Sequence, residues 1–113
     1  MVEPAYCPER GDIVWLQFGP QAGHEPAGRR PALVISPGAY NSKVGLAIMC
    51  PITSKAKGYP FEVQLPPNLN VSGVVLADQV KNLDWRVRKA EFLCKAPGKV
   101  IAEVLAKIQV LIT

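Results

Sequence analysis

The chain carries one histidine, His24, and three cysteines, Cys7, Cys50 and Cys94, in 113 residues. The cysteines lie far apart and form no C-x-x-C pair, so with one imidazole they assemble neither a zinc site nor a dithiol redox centre. They read as reduced, buried thiols. Clustered carboxylates are also missing. Glu62 and Asp84 stand alone in different segments, unlike the grouped acids of a magnesium-dependent nuclease. No metal and no cofactor is therefore expected. No apolar run approaches the ~18 residues that cross a bilayer, and Met1-Val2-Glu3-Pro4 lacks the basic-then-apolar pattern of a secretory leader. A soluble, cytoplasmic protein without membrane contact is the expectation.

Proline and glycine, by contrast, are plentiful. Eleven prolines and nine glycines cut the sequence into short apolar runs, a spacing that suits strands and turns. Strands are expected at residues 13–18, 32–36, 46–52, 61–65, 74–80 and 90–94. In Phe61-Glu62-Val63-Gln64-Leu65 the odd positions should face a core and Glu62 and Gln64 water. Leu33-Val34-Ile35 and Leu46-Ala47-Ile48-Met49 are apolar throughout, which implies cover on both faces. Trp15, within a strand, is expected in the core. Near the C-terminus the period changes. Val100, Ile101, Val104, Leu105 and Ile108 form one stripe, with Lys99, Glu103 and Lys107 opposite, the signature of an amphipathic helix. Pro97-Gly98 marks its start, Glu103 and Lys107 are spaced to pair, and Val110-Leu111-Ile112 is expected to return to the sheet as a last short strand. With 49% hydrophobic residues such a chain can bury one modest core, so residues 1–113 are read as one domain, mainly β with accessory helix.

Thirteen Lys and Arg against nine Asp and Glu give a formal charge of +4. The surplus is moderate, but its placement is uneven. Arg29-Arg30, Lys55 with Lys57, and Lys81 with Arg86-Val87-Arg88-Lys89 fall in three polar connections, a distribution that fits a polyanionic partner. Two of these connections have unusual chemistry. Residues 19–30 offer almost nothing to bury, and loops of that length in compact domains are often functional. Residues 53–60 combine hydroxyls with ammonium groups. If the strands beginning at Pro31 and ending at Ile52 are antiparallel neighbours, Arg30 and Thr53 share one end of the sheet and frame a phosphate-sized site.

At these residues the sequence resembles the MazF/PemK family of toxin endoribonucleases. The blocks Gly11-Asp12-Ile13-Val14-Trp15, Gly28-Arg29-Arg30-Pro31-Ala32-Leu33-Val34-Ile35-Ser36-Pro37, Tyr40-Asn41, Thr53-Ser54-Lys55-Ala56-Lys57-Gly58-Tyr59-Pro60-Phe61-Glu62-Val63 and Val75-Leu76-Ala77-Asp78-Gln79-Val80-Lys81 carry the likeness in order and spacing. The resemblance implies an SH3-like small β-barrel, a homodimer, and sequence-specific cleavage of single-stranded RNA. It also implies restraint by a cognate MazE-like antitoxin whose acidic C-terminal segment occupies the RNA groove. It puts catalytic roles on Arg30, Thr53 and Glu25, and contacts to RNA or its phosphates on Lys57, Lys81 and Arg88. The basic neighbour Arg29 and the pair Asp78-Gln79, whose polar ends can read base edges, complete the expected RNA-binding set. Tyr59 or Trp85 could stack a base or pack in the core. Two departures stand out. Gln17 and Gly19 occupy positions that are often acidic in the family, which makes the groove more basic. Pro26 restricts the residue before it, so Glu25 can point differently here.

RNA supplies its own nucleophile, the 2′-OH, so the protein must orient the strand, balance charge on the phosphoryl oxygens and manage two protons. Arg30 suits the charge task because a guanidinium forks onto two phosphate oxygens and stays ionised. Thr53 can donate its hydroxyl to the same phosphate. Glu25 and His24 are candidate bases by type. Two other readings of the same residues remain. One is a gyrase-poisoning toxin of the CcdB type, although the chain ends Val110-Leu111-Ile112-Thr113 without that type's tryptophan. The other is a catalytically silent RNA-binding module, which has no need of Arg30 near Thr53.

Overall fold

The structure is a computed structural model that describes residues 6–19 and 28–113. Along these residues run β1 (Asp12–Gln17), β2 (Arg29–Val34), α1 (Gly38–Val44), β3 (Leu46–Thr53), β4 (Glu62–Gln64), β5 (Val74–Leu76), a one-turn 3₁₀ helix (Ala77–Gln79), β6 (Lys81–Asp84), β7 (Glu91–Lys95) and α2 (Gly98–Ile112). The strands form one antiparallel sheet in the order β4-β5-β3-β2-β1-β7, with β6 also paired to β3. β3 is the hinge of the architecture. Leu46 to Met49 pair with β6, while Ile52 and Thr53 pair with β5. The sheet therefore bends into a barrel-like form without closing, mainly β with two helices as expected.

Two apolar clusters lie on the two faces of this sheet. Ile13, Leu33, Cys50, Ile52, Val63 and Val75 form the first, closed by Val100, Val104 and Ile108 of α2. Val14, Leu16, Ala32, Val34, Ala47 and Met49 form the second, closed by Trp85. Alternation along each strand sends neighbours to opposite clusters. That is why Leu33-Val34-Ile35 could be apolar throughout: all three are buried. Each such aliphatic side chain contributes on the order of 1.5–3 kcal/mol by leaving water.

Several expectations change. Val110, Leu111 and Ile112 continue α2 and are exposed, so no strand follows the helix. Helical hydrogen bonding simply propagates past the β-branched residues, with Thr113 N–H donating to the Gln109 carbonyl. Residues 74–80 are interrupted by the 3₁₀ turn, and Lys81 belongs to strand β6 rather than to a loop. Trp15 is 38% exposed. It projects on the same face as Ile13, beyond the area that α2 covers. Trp85 is buried, donating its indole N–H to the Asn41 carbonyl at 3.0 Å, so it packs instead of offering a free face, and Arg86 stacks on it at 4.6 Å.

Helix α1 had no sequence signal. Its first residue follows Pro37, which supplies no capping side chain. The cap comes from far away, since the Glu9 carboxylate accepts the Gly38 N–H at 2.7 Å. Asn41 is fully buried and donates to the carbonyls of Pro8 and Ser36 at 2.7 and 3.0 Å. A buried amide so satisfied ties the N-terminal segment, β2 and α1 together.

Candidate RNA-cleavage site

Antiparallel pairing sets the site's geometry. β2 and β3 pair with Ala32 opposite Pro51, Leu33 opposite Cys50 and Val34 opposite Met49. The paired stretch ends at Ala32 and Pro51; extending its register by two residues sets Arg30 across from Thr53. Cross-strand partners share a face, and Val34, Ala32 and Met49 all belong to the cluster beneath Trp85. Arg30 and Thr53 therefore continue one row on that face, at the end where β2 begins and β3 finishes. The expectation that these two strands are antiparallel neighbours is met. On the far side of β3, Lys81 pairs with Met49, so it starts β6 on the same face and toward the same end. On the near side β1 ends at Gln17, opposite Arg29, and Arg88 donates to the Gln17 carbonyl at 3.1 Å. Arg30, Thr53, Lys81 and Arg88 thus arrive at one end of the sheet from four chain segments. Of these four, Arg88 also lines an open groove of about 450 Å³, together with Gln17, Gly19, Asp84 and Val87.

Thr53 is half-buried, and its Oγ1 accepts the Lys55 N–H at 3.1 Å. The hydroxyl hydrogen is left for a further acceptor. Its backbone is held from behind by Gly73, whose φ is +118° and where a Cβ would stand 2.1 Å from the Thr53 carbonyl oxygen. Only glycine lets β5 approach so closely. Lys57 is exposed in the following loop with its ammonium 6.0 Å from the Tyr59 ring centroid. Asp78 and Gln79 form the 3₁₀ turn just before β6, Asp78 exposed and Gln79 half-buried.

Arg29 does not join this group. It points to the opposite face, where it donates to the Lys89 carbonyl at 3.0 Å and pairs with Glu91 at 2.5 Å. Glu25 and His24 lie outside the described residues. Glu62, which alternation marked only as facing water, accepts the N–H groups of Lys57 and Gly58. Nothing in the strand pattern signals that role. Lys107, expected to pair with Glu103 on the same helix face, donates to the Pro60 carbonyl. Among the described residues no three His, Cys, Asp or Glu side chains group as metal ligands, and no helix is long and apolar enough to cross a membrane.

The thiols are unsuited to nucleophilic work. Burial pushes Cys50 up to about 12, and Cys7 and Cys94 are raised by the same cause. Cys50 is fully buried, whereas Cys7 and Cys94 are only partly so. Tyr6 is raised above its usual range by burial and then by its hydrogen bond to Asp12, which makes it part of the fold's frame.

The sequence profile described as PemK-like, MazF-like toxin of type II toxin-antitoxin system matches residues 9–112. The chain belongs to that family. It is 46% identical to the endoribonuclease toxin MazF of Escherichia coli K12 over 107 residues, covering 95% of this chain and 96% of that one. The crystal structure of MazF from Deinococcus radiodurans superposes with a TM-score of 0.91 at 62% identity, over 95% of this chain and 97% of that one. MazF in a MazE–MazF complex from the same organism superposes at 0.85 with 57% identity, over 95% and 96% of the two chains. Likeness over nearly the full length of a PemK-like, MazF-like toxin makes this chain an endoribonuclease by family.

Proposed function

We propose that the protein is the toxin of a type II pair and cuts single-stranded mRNA at short motifs, with Arg30 and Thr53 as the groups that meet the scissile phosphate. The reading is supported by one geometric relation, the β2–β3 register that brings these two residues opposite each other on one face. The ribose 2′-OH attacks phosphorus in line and the P–O5′ bond breaks. The products are a 2′,3′-cyclic phosphate and a 5′-OH. Arg30 balances the charge growing on the phosphoryl oxygens and passes a proton to the leaving 5′ oxygen, while Thr53 donates its hydroxyl to the same phosphate. Glu25, which lies outside the described residues, is the group assigned to take the 2′-OH proton. Because the nucleophile belongs to the substrate and a guanidinium carries the charge, the scheme needs no metal. Lys57, Lys81 and Arg88 hold neighbouring phosphates, Asp78 and Gln79 read base edges, and Arg29 adds long-range attraction.

The proposal extends to partners. A MazE-like antitoxin with an acidic segment suits the same basic groove, a partner class consistent with the MazE–MazF structure from Deinococcus radiodurans, and the working state is a cytoplasmic homodimer that arrests growth through mRNA loss. Labelled single-stranded RNA tests the central reading. The purified protein should shorten it in EDTA, leave 5′-OH ends, and fail on RNA with a 2′-deoxy sugar at the cut. Intact RNA after prolonged incubation with folded protein sinks the nuclease reading and leaves a binding module.

A further inference from the structure

Resting on the nuclease reading above, we infer that Glu62 is a positioning residue for substrate. Its carboxylate fixes the backbone of Lys57 and Gly58 so that the Lys57 ammonium is presented to RNA phosphates, and Lys107 pins the other end of the same loop.

Residues 54–60 are all exposed, so no apolar contact of their own fixes their path. Such a segment would sample many conformations, and each lost degree of freedom would be charged against RNA binding. Hydrogen bonds do the fixing instead. The Lys57 N–H donates to Glu62 Oε2 at 3.0 Å and the Gly58 N–H to Oε1 at 3.0 Å. Glu62 returns its own N–H to the Tyr59 carbonyl at 3.1 Å, which closes a tight ring around Gly58. Gly58 has φ of +78°, a left-handed turn in which successive amides converge on one anion. Lys107 of α2 reaches across to donate to the Pro60 carbonyl, tying the loop to the helix over the first apolar cluster.

The location of the carboxylate is itself informative. An acid close to an RNA path repels phosphates, so a surface Glu there weakens binding unless it does something in return. Here both oxygens are taken up by amides of the loop that carries Lys57. The consequence belongs to binding, because Lys57 holds the strand and does not touch the reacting atoms.

The test is affinity for a single-stranded RNA made uncleavable by a 2′-deoxy sugar, read by fluorescence anisotropy, beside KM and kcat on the cleavable strand. Glu62→Gln keeps the size but offers one acceptor oxygen in place of two. It should raise Kd and KM together by about five- to twentyfold with kcat within about twofold. Gly58→Ala should act in the same direction, since a left-handed alanine is strained, and Lys107→Met more weakly, by about two- to fivefold. In a Lys57→Ala background the Glu62→Gln effect should shrink to less than about twofold, because the group being positioned is gone. Native Kd and KM in Glu62→Gln, a loss confined to kcat, or an undiminished effect without Lys57 would overturn the proposal. If Glu62→Gln does not fold, native affinity in both Gly58→Ala and Lys107→Met does so. RNA binding without cleavage by the unaltered protein sinks the nuclease reading alone. Cleavage with a silent Glu62→Gln sinks the positioning role alone.

Discussion

At the start of β2 the two faces of the sheet carry the same kind of side chain in opposite circumstances. Arg29 lies across from Glu91 and the Lys89 carbonyl, on the face that also exposes Trp15. Arg30, one residue later, continues the row of Ala32 and Val34 toward Thr53 at the mouth of the cluster beneath Trp85. Composition treats the two as one basic pair. The period-two alternation of a strand separates them, assigning one to a surface ion pair and the other to the end where Thr53, Lys81 and Arg88 gather. A cationic run in a strand is therefore two half-populations, and only one half can serve a given site.

Substitutions can break this contrast. Arg30→Ala should lower kcat by about a thousandfold or more with the melting temperature retained, since it removes the charge that faces the developing oxyanion. Near-native turnover in that variant would end the assignment. Thr53→Val keeps the shape and removes the donor, for an expected loss of about a hundredfold in kcat, measured under saturating RNA. Gly73→Ala should follow with about a tenfold loss, because the added methyl meets the Thr53 carbonyl and β5 must shift. A structure of that variant with Thr53 unmoved would refute the explanation. Arg29→Ala should be the mildest, within about threefold in kcat/KM. Its ion pair with an exposed Glu91 contributes about 0–1 kcal/mol to stability, and a loss as large as that of Arg30→Ala would erase the distinction between the faces.

The apolar layers beneath both arginines give a pH signature. The Cys50 thiol is raised to about 12 by burial, against about 8.5 when unfolded. A raised folded-state value means that the contribution is complete below about pH 8.5 and is lost as pH climbs toward 12. Tyr6, also raised, adds a loss in the same direction above about pH 10. Urea midpoints taken from pH 7 to 11 should fall, with a shallower slope in Cys50→Ala. An unchanged slope would assign the alkaline loss to other groups.

Much of the fold was legible. Alternation located β4 with its inward Val63 and the buried Leu65 just after it, and the 3.6-residue stripe located α2 with Val100, Val104 and Ile108 buried. Of what failed, two misses come from contacts or cover set by segments distant in sequence, and the third from local propagation of the helix. Helix α1 is capped by Glu9 from outside, Trp15 lies beyond the area α2 covers, and Val110 to Ile112 stay helical where β propensity favoured a strand. Arg30 and Thr53 were legible as residue types and, through the resemblance, as a pair. The roles of Gly73, Glu62 and Lys107 around them were not, because each acts on backbone atoms of a segment it does not adjoin.

By itself the amino-acid order determined the family, the β-rich class, the amphipathic C-terminal helix and the residue types available for phosphate chemistry. All of these reside in local periodicity and in motifs read along one dimension. The tertiary structure alone decided that Arg29 pairs with Glu91 and the Lys89 carbonyl, how the 54–60 loop is held, and which tryptophan is buried. Those outcomes depend on strand register and on β3 changing partners from β6 to β5, which bring together groups that the chain keeps tens of residues apart.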